Sequence, residues 1–190
     1  PNGRNAQINF GGVIGGTLLF SSSTKSNISG CTVTNSKISY CTNTEQICAL
    51  AGILGSSYPH SNDEIIENCV VDSTEIKLTL PNARNNNLHA SGIAGDCSGT
   101  IKNCSINNSK VLLLSDTPES AVFAYGGEIG FPTVSGISLG KAYSGIDTYI
   151  YDCNIRNTEI RNNLGIAFGV LAFSCDIKVD IQRVNIEDSL

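Results

Sequence analysis

The chain has 190 residues, 41% of them hydrophobic and only 15% charged, with 19 glycines, eight cysteines, no tryptophan and no methionine. That length suits one domain, residues 1–190, with a substantial core, and a profile rich in Asn, Ser and Ile disfavours helices and favours short strands joined by polar turns. A net charge of −5 with no basic run argues against nucleic-acid partners, and no stretch reaches the ~18 consecutive apolar residues of a membrane span.

In chain order, two modules alternate. The first is a Gly-x-x-Gly strand, beginning as GVIG at Gly12. The second is an eleven-residue phrase of the form I-x-N-C-x-I-x-N-S-x-V, beginning as ISGCTVTNSKI at Ile28. The pair recurs as GILG at Gly52 with IENCVVDSTEI at Ile66, and as GIAG at Gly92 with IKNCSINNSKV at Ile101. It recurs again as GEIG at Gly127 with IYDCNIRNTEI at Ile150, and as a degraded GVLA at Gly169 with IQRVNIEDSL at Ile181. The glycine starts lie 40, 40, 35 and 42 residues apart, so one repeat is about forty residues long. Starting at Pro1 with no signal-peptide pattern, the chain reads as a processed or excised segment of a longer repeat protein.

Down the phrases run three columns: Cys31, Cys69, Cys104, Cys153 and Val184; Val33, Val71, Ile106, Ile155 and Ile186; and Ile38, Ile76, Val111, Ile160 and Leu190. Corners fall at Asn35, Ser73, Asn108, Asn157 and Asp188, where short polar side chains bond nearby backbone and Asn tolerates left-handed geometry. Period-two alternation puts strands in both modules. Three short strands per repeat, stacked in register at about 4.8 Å, predict an all-β parallel β-helix (β-solenoid) of about five irregular coils. A β-sandwich of independent hairpins would not demand the same residue type at the same phase of every repeat.

Residues 91–111 resemble the GLUG motif, a repeat of bacterial surface and secreted proteins. Gly92, Gly95, Gly99, Ile101, Asn103 and Cys104 match its form. The third copy has the compact family spacing, 12 residues from Gly92 to Cys104, whereas the others run 19, 17, 26 and 15. The resemblance implies a solenoid in a long extracellular or cell-surface protein, often adhesive, with no catalytic residues.

Around the glycine strand one parity is apolar. The other carries Val13, Ile53, Ile93, Glu128 and Val170 among small residues such as Gly11, Ala51, Ser91, Gly15, Gly55 and Gly95. If the apolar parity faces the core, this second parity is a flat outer face with an apolar stripe. Such a face suits close approach of another backbone, either a partner or one of the chain's own loops. The Gly/Ser-rich insertion 131–149 offers Phe131, Tyr143 and Tyr149 for stacking on a sugar, and is equally readable as a tolerated surface loop.

Four cysteines belong to the ladder, where they read as buried thiols or as rung-to-rung disulfides. Cys41 with Cys48, and Cys97 with Cys104, each flank six residues and are spaced to close a loop. No C-x-x-C occurs, which argues against structural zinc. His60 and His89 fall in inter-strand loops, and a metal site from His60, Asp63 and Glu64 is weaker than two solvated side chains. The carboxylates Asp72, Glu75, Glu159, Glu187 and Asp188, with Arg156, scatter over phases as a solvated face does, which argues against a glycosidase or lyase. Thr32 and Thr34 form an isolated T-x-T on the phrase strands, which argues against an ice-binding array. Sequons at Asn27, Asn103 and Asn107 matter only in a eukaryotic source.

The expected function is non-enzymatic, with no cofactor: a stalk, filament subunit or adhesin whose partner is protein, including self-association by end-to-end stacking, or a surface glycan. The competing expectation is a β-helix that binds or cleaves polysaccharide.

Overall fold

A computed structural model describes residues 7–18, 27–41, 47–58, 64–81, 88–95, 97, 99–117, 133–138, 147–164, 166–170 and 179–190. They form a parallel β-helix: every strand pairing is parallel, and five coils stack in chain order. Each of the first four phrases supplies strands to three sheets, and the fifth to two. The first holds Asn27–Ser29, Ile65–Glu67, Gly99–Lys102, Thr148–Tyr151 and Val179–Gln182; the second holds Thr32–Thr34, Val70–Asp72, Ser105–Asn107, Asn154–Arg156 and Asn185–Glu187. The third holds Lys37–Cys41, Glu75–Leu80, Lys110–Ser115 and Glu159–Asn162. A fourth, the glycine sheet, holds Gln7–Gly11, Ile47–Ala51, Leu88–Ser91, Thr133–Ser135 and Ile166–Phe168. Four strand positions, with a fifth (Ile14–Leu18 and Leu54–Tyr58) in the first two coils, thus replace the three expected, because the phrase bends twice and the chain folds back after the glycine bend.

The two bends are the physical key to the phrase. Asn35, Ser73, Asn108, Asn157 and Asp188 all have φ between 46° and 50°. Five residues earlier, Gly30, Asn68, Asn103, Asp152 and Arg183 adopt the same left-handed conformation, with φ between 51° and 69°. After every bend but that at Arg183, which Val184 follows, the next side chain donates back to the carbonyl two residues before it. At the first bend the donors are thiols, such as Cys69 Sγ to the Glu67 carbonyl at 3.2 Å and Cys104 Sγ to the Lys102 carbonyl at 3.3 Å. At the second they are hydroxyls, such as Thr74 Oγ1 to the Asp72 carbonyl at 2.9 Å and Thr158 Oγ1 to the Arg156 carbonyl at 2.9 Å. The Cys and Ser/Thr columns are therefore equivalent corner devices, each satisfying a carbonyl that the turn would otherwise orphan.

The phrase registers follow the sequence columns: Ile28 pairs with Ile66, Ile66 with Ile101, Ile101 with Ile150, and Ile150 with Ile181. These residues and the Val33 and Ile38 columns fill the interior, where Ile66, Val71, Ile76, Ile101, Ile106 and Val111 are fully buried. Each contributes roughly 1.5–3 kcal/mol of burial relative to exposure. Leu190 is the exception. Its amide donates to the Thr158 carbonyl and its carbonyl accepts from the Ile160 amide, so it lies opposite Glu159 and not Ile160, and it is 92% exposed.

In the glycine sheet, Gly12, Gly52, Gly92 and Gly136 sit at a sharp bend over the core. A Cβ on Gly52 would meet Val71 Cγ2 at 2.6 Å, and one on Gly92 would meet Ile106 Cδ1 at 2.7 Å. Beyond the bend, Ile14–Leu18 pairs with Leu54–Tyr58, and the bridges Leu54–Ala94 and Ala94–Ser138 carry that layer to the fourth coil. The layer lies against the outer side of the glycine strands: a Cβ on Gly95 would meet Ala49 Cβ at 3.1 Å, and one on Gly55 the Phe10 amide nitrogen at 2.7 Å. Small residues there let the chain fold onto its own back.

Two sequence expectations are corrected in this sheet. The fourth module is not GEIG at Gly127: Ser135 pairs with Ser91, and the Ile93 amide donates to the Ile137 carbonyl at 3.0 Å, so Gly136-Ile137 takes that place. Glu128 lies outside the described residues. Nor is the stripe an exposed face. Ile53 and Ile93 are fully buried in the hydrophobic core and Val170 packs against it, leaving Val13, in the first coil, 45% exposed. The flanking Ala51 and Ser91 are buried too, because the chain's own second layer covers them.

Candidate functional site

The outward-facing charges pair between neighbouring coils. In the third sheet the signs alternate up the stack, Lys37, Glu75, Lys110 and Glu159 in register, with Lys37 Nζ 3.0 Å from Glu75 and Lys110 Nζ 3.4 Å from Glu159. Lys102 bonds Glu67 at 2.9 Å, Arg156 bonds Glu187 at 2.9 Å, and Arg183 forks onto Asp152. Asp72 accepts from Asn108 Nδ2 at 2.9 Å, and Asn157 Nδ2 continues that corner ladder to Asn108 at 2.9 Å. The Lys102 hydrogen bond holds Glu67 below the usual carboxylate range, Arg183 does so for Asp152, and Asn185 with Arg156 for Glu187. These lowered values make the pairs stabilising above the unfolded carboxylate range, near pH 4; that contribution is lost as the pH falls through the folded values. A shallow groove of about 270 Å3 along the second bend is lined by Asn108, Lys110, Asn157, Glu159, Asp188 and Leu190, most of them already engaged in these ladders. Scattered charges thus become lateral staples between rungs, and no converging acid–base pair forms among the described residues.

The cysteines are free thiols in every described case. The loop-closing pairs are corrected accordingly. Cys41 is exposed while Cys48 is fully buried, its thiol pushed up to about 12 by burial. Cys97 donates to Glu64 Oε2 at 3.3 Å, and Cys104 to the Lys102 carbonyl. In the ladder, hydrogen bonding to Cys153 and Cys69 and then burial push Cys104 well up, so it stays a thiol. No group of three His, Cys, Asp or Glu among the described residues is placed to hold a metal ion.

His89 is not in a loop. It lies in Leu88–Ser91, buried, with Nδ1 2.7 Å from Thr133 Oγ1, while Ser91 Oγ lies 2.9 Å from Ser135 Oγ. These are rung-to-rung polar ladders under the second layer, satisfying groups buried there. Glu64 is buried as well, and His60 and Asp63, the rest of that metal set, lie outside the described residues.

One outward cluster is not a simple charge ladder. Tyr149 and Tyr151 project from Thr148–Tyr151 with ring centroids 6.0 Å apart and planes tilted by 31°. Tyr149 Oη donates to Asp147 at 2.8 Å and Tyr151 Oη to Asp180 at 3.1 Å, and Gln182 Nε2 donates to the same Asp180. The bond to Asp147 holds the Tyr149 hydroxyl above its ordinary range; burial and then Asp180 do so for Tyr151. Tyr149 was legible in the sequence as part of an aromatic loop, but Phe131 and Tyr143 lie outside the described residues. Tyr151, its actual neighbour, was hidden as a variable position of the phrase. Period-two spacing was the signal that would have found it. Of the sequons, Asn27 and Asn103 are exposed, and Asn107 is half-buried with Nδ2 3.3 Å from Ser105 Oγ.

The two ends of the stack differ from its middle. Phe10 and Val13 in the first coil are 37% and 45% exposed, and Ile181 and Ile186 in the fifth are 43% and 48% exposed, although their column mates in the second to fourth coils are buried. Among the described residues no helix is long and apolar enough to cross a membrane. No protein-family model matches this chain, and neither the curated proteins nor the solved structures yield a match.

Proposed function

We propose that this chain is a non-enzymatic β-solenoid of an extracellular or cell-surface protein, serving as a stalk, filament subunit or adhesin. The observation that carries the proposal is the register itself: every coil presents the same apolar columns to the next, from Ile28 through Ile66, Ile101 and Ile150 to Ile181. Ile181, Val184 and Ile186 continue the columns of Ile28, Cys31 and Val33, so the first coil of a second copy repeats the spacing that the fifth coil presents. Stacking in that register buries the same residue types as every internal rung and pairs open strand edges. The charge ladders support it, since the outer face is committed to holding rungs together. The GLUG-like spacing of Gly92, Gly95, Asn103 and Cys104 supports the surface setting.

The double variant Ile181→Lys/Ile186→Lys tests it. Both side chains are already about half exposed, so far-UV circular dichroism and melting stay close to the parent. Self-association, read by sedimentation velocity over a concentration series, weakens at least about a hundred-fold, because two ammonium groups enter a desolvated contact. A parent that is monomeric at every concentration, or a variant that associates equally well, removes the idea.

A second reading, glycan binding, is favoured by the Tyr149–Tyr151 platform with carboxylates and an amide at its edge, the usual materials of sugar recognition. A Tyr149→Ala/Tyr151→Ala variant then loses about ten-fold or more in affinity for any oligosaccharide that the parent retains on a glycan array. Equal retention by both proteins rules the platform out.

A further inference from the structure

The cysteine column is placed for a reaction that the static fold does not need. Ser29 pairs with Glu67 and Thr32 with Val70, so Cys31 lies opposite Cys69, and the Val70 amide donates to the Cys31 carbonyl at 2.8 Å. Neighbouring rungs are about 4.8 Å apart, inside the roughly 4.4–6.8 Å Cα separation of a disulfide.

Access then singles out one pair of the ladder. Cys69, Cys104 and Cys153 are fully buried, and their thiols sit 3.2–3.3 Å from the carbonyls two residues back. Cys31, in the first coil, is only half-buried, and its thiol is held more loosely, 3.7 Å from the Ser29 carbonyl. A reagent that reaches the column reaches Cys31 first, and the next sulfur inward is Cys69.

We infer that Cys31 and Cys69 are an oxidisable pair, a covalent latch that closes the first coil onto the second when the protein meets a small-molecule disulfide such as oxidised glutathione. The Cys31 thiolate attacks one sulfur of the reagent, breaking its S–S bond and releasing one glutathione, which takes up the proton Cys31 gave up. The Cys69 thiolate then attacks Cys31 Sγ in the mixed disulfide and expels the second glutathione, which takes up the proton from Cys69. Two cysteines are oxidised by two electrons in total, and the reagent is reduced to two thiols. Only Cys31 has to meet solvent, because the second step is internal. The latch ties residue 31 to residue 69 and so restricts the unfolded chain across the first coil.

The test uses the full chain carrying Cys41→Ser, which removes the one exposed thiol among the described residues, incubated with oxidised glutathione at mildly alkaline pH. Alkylation under denaturing conditions and peptide mapping then find two thiols lost and the peptides bearing Cys31 and Cys69 joined. The melting temperature rises by about 5–10 °C and falls back on reduction. The joined peptide disappears in Cys69→Ser; should that variant not fold, Cys31→Ser, at the half-buried site, must abolish it equally. Three outcomes overturn the inference: no loss of thiols, Cys31 stopping as a stable glutathione adduct, or a joined peptide that survives either serine.

Discussion

Replacing Ile93 with Lys is expected to leave the chain without cooperative folding, seen as loss of the strand signal in far-UV circular dichroism and of any sigmoidal urea transition. Ile93 is fully buried, and its amide and carbonyl are bonded to Ile137 above and Ile53 below, so its side chain has no route to water without parting two coils. Removing the isoleucine forfeits roughly 1.5–3 kcal/mol of burial. Leaving an unpaired ammonium in the apolar column adds about 3–5 kcal/mol. The sum rivals the whole stability of an ordinary domain, about 5–15 kcal/mol. Ile53→Lys should behave alike. Val13→Lys, in the same column but 45% exposed, should fold with a change within about 1 kcal/mol. A well-folded Ile93→Lys protein would mean that the column faces solvent.

Gly92→Ala is the second large effect, and it arises from backbone and not from charge. A Cβ there would stand 2.0 Å from the Gly136 carbonyl oxygen and 2.7 Å from Ile106 Cδ1. The isoleucine tip can turn aside, but the carbonyl belongs to the next rung and cannot retreat without breaking the ladder in which the Gly92 amide bonds Ser135. The expected cost is about 3 kcal/mol or more, read as a lower urea midpoint. Gly30→Ala is the internal control. Nothing lies within 4 Å of its Cβ position, and its φ of +69° alone is at issue, so it should cost only about 1 kcal/mol. If the two substitutions cost the same, close rung-to-rung approach is not what Gly92 provides.

The phrase was legible because a solenoid repeats its constraints. An inward residue must fit the one above it, so Cys31, Cys69, Cys104 and Cys153 align in the sequence as they do in the fold. The first bend was harder to see. Gly30, Asn68, Asn103 and Asp152 are turn residues in one column, yet they sit inside an apparent alternation and end in Arg183, a residue that rarely takes positive φ. The fourth glycine module escaped because GISL, not GxxG, stands at Gly136, so its equivalence to Gly92 shows only in the strand register. The small residues read as a flat outer face do admit another backbone, but it is the chain's own second layer. Ala51 beneath a partner and Ala51 beneath the chain's own returning strand demand the same small side chain, so composition cannot separate them.

His89 and Glu64 show the same limit from the polar side. A histidine beside asparagines looks solvated until the register supplies Thr133, and a carboxylate in a polar run looks exposed until Cys97 is brought to it. Partners that come from the next coil, 33 or 44 residues away, leave no local trace.

Electron microscopy of the concentrated protein tests most directly whether the five in-register coils make a self-continuing solenoid. Stacked copies predict thin unbranched filaments with an axial repeat of roughly 24 Å, five rungs at about 4.8 Å each, which disappear in Ile181→Lys/Ile186→Lys. Particles that stay single at every concentration, or assemblies without that repeat, would contradict it.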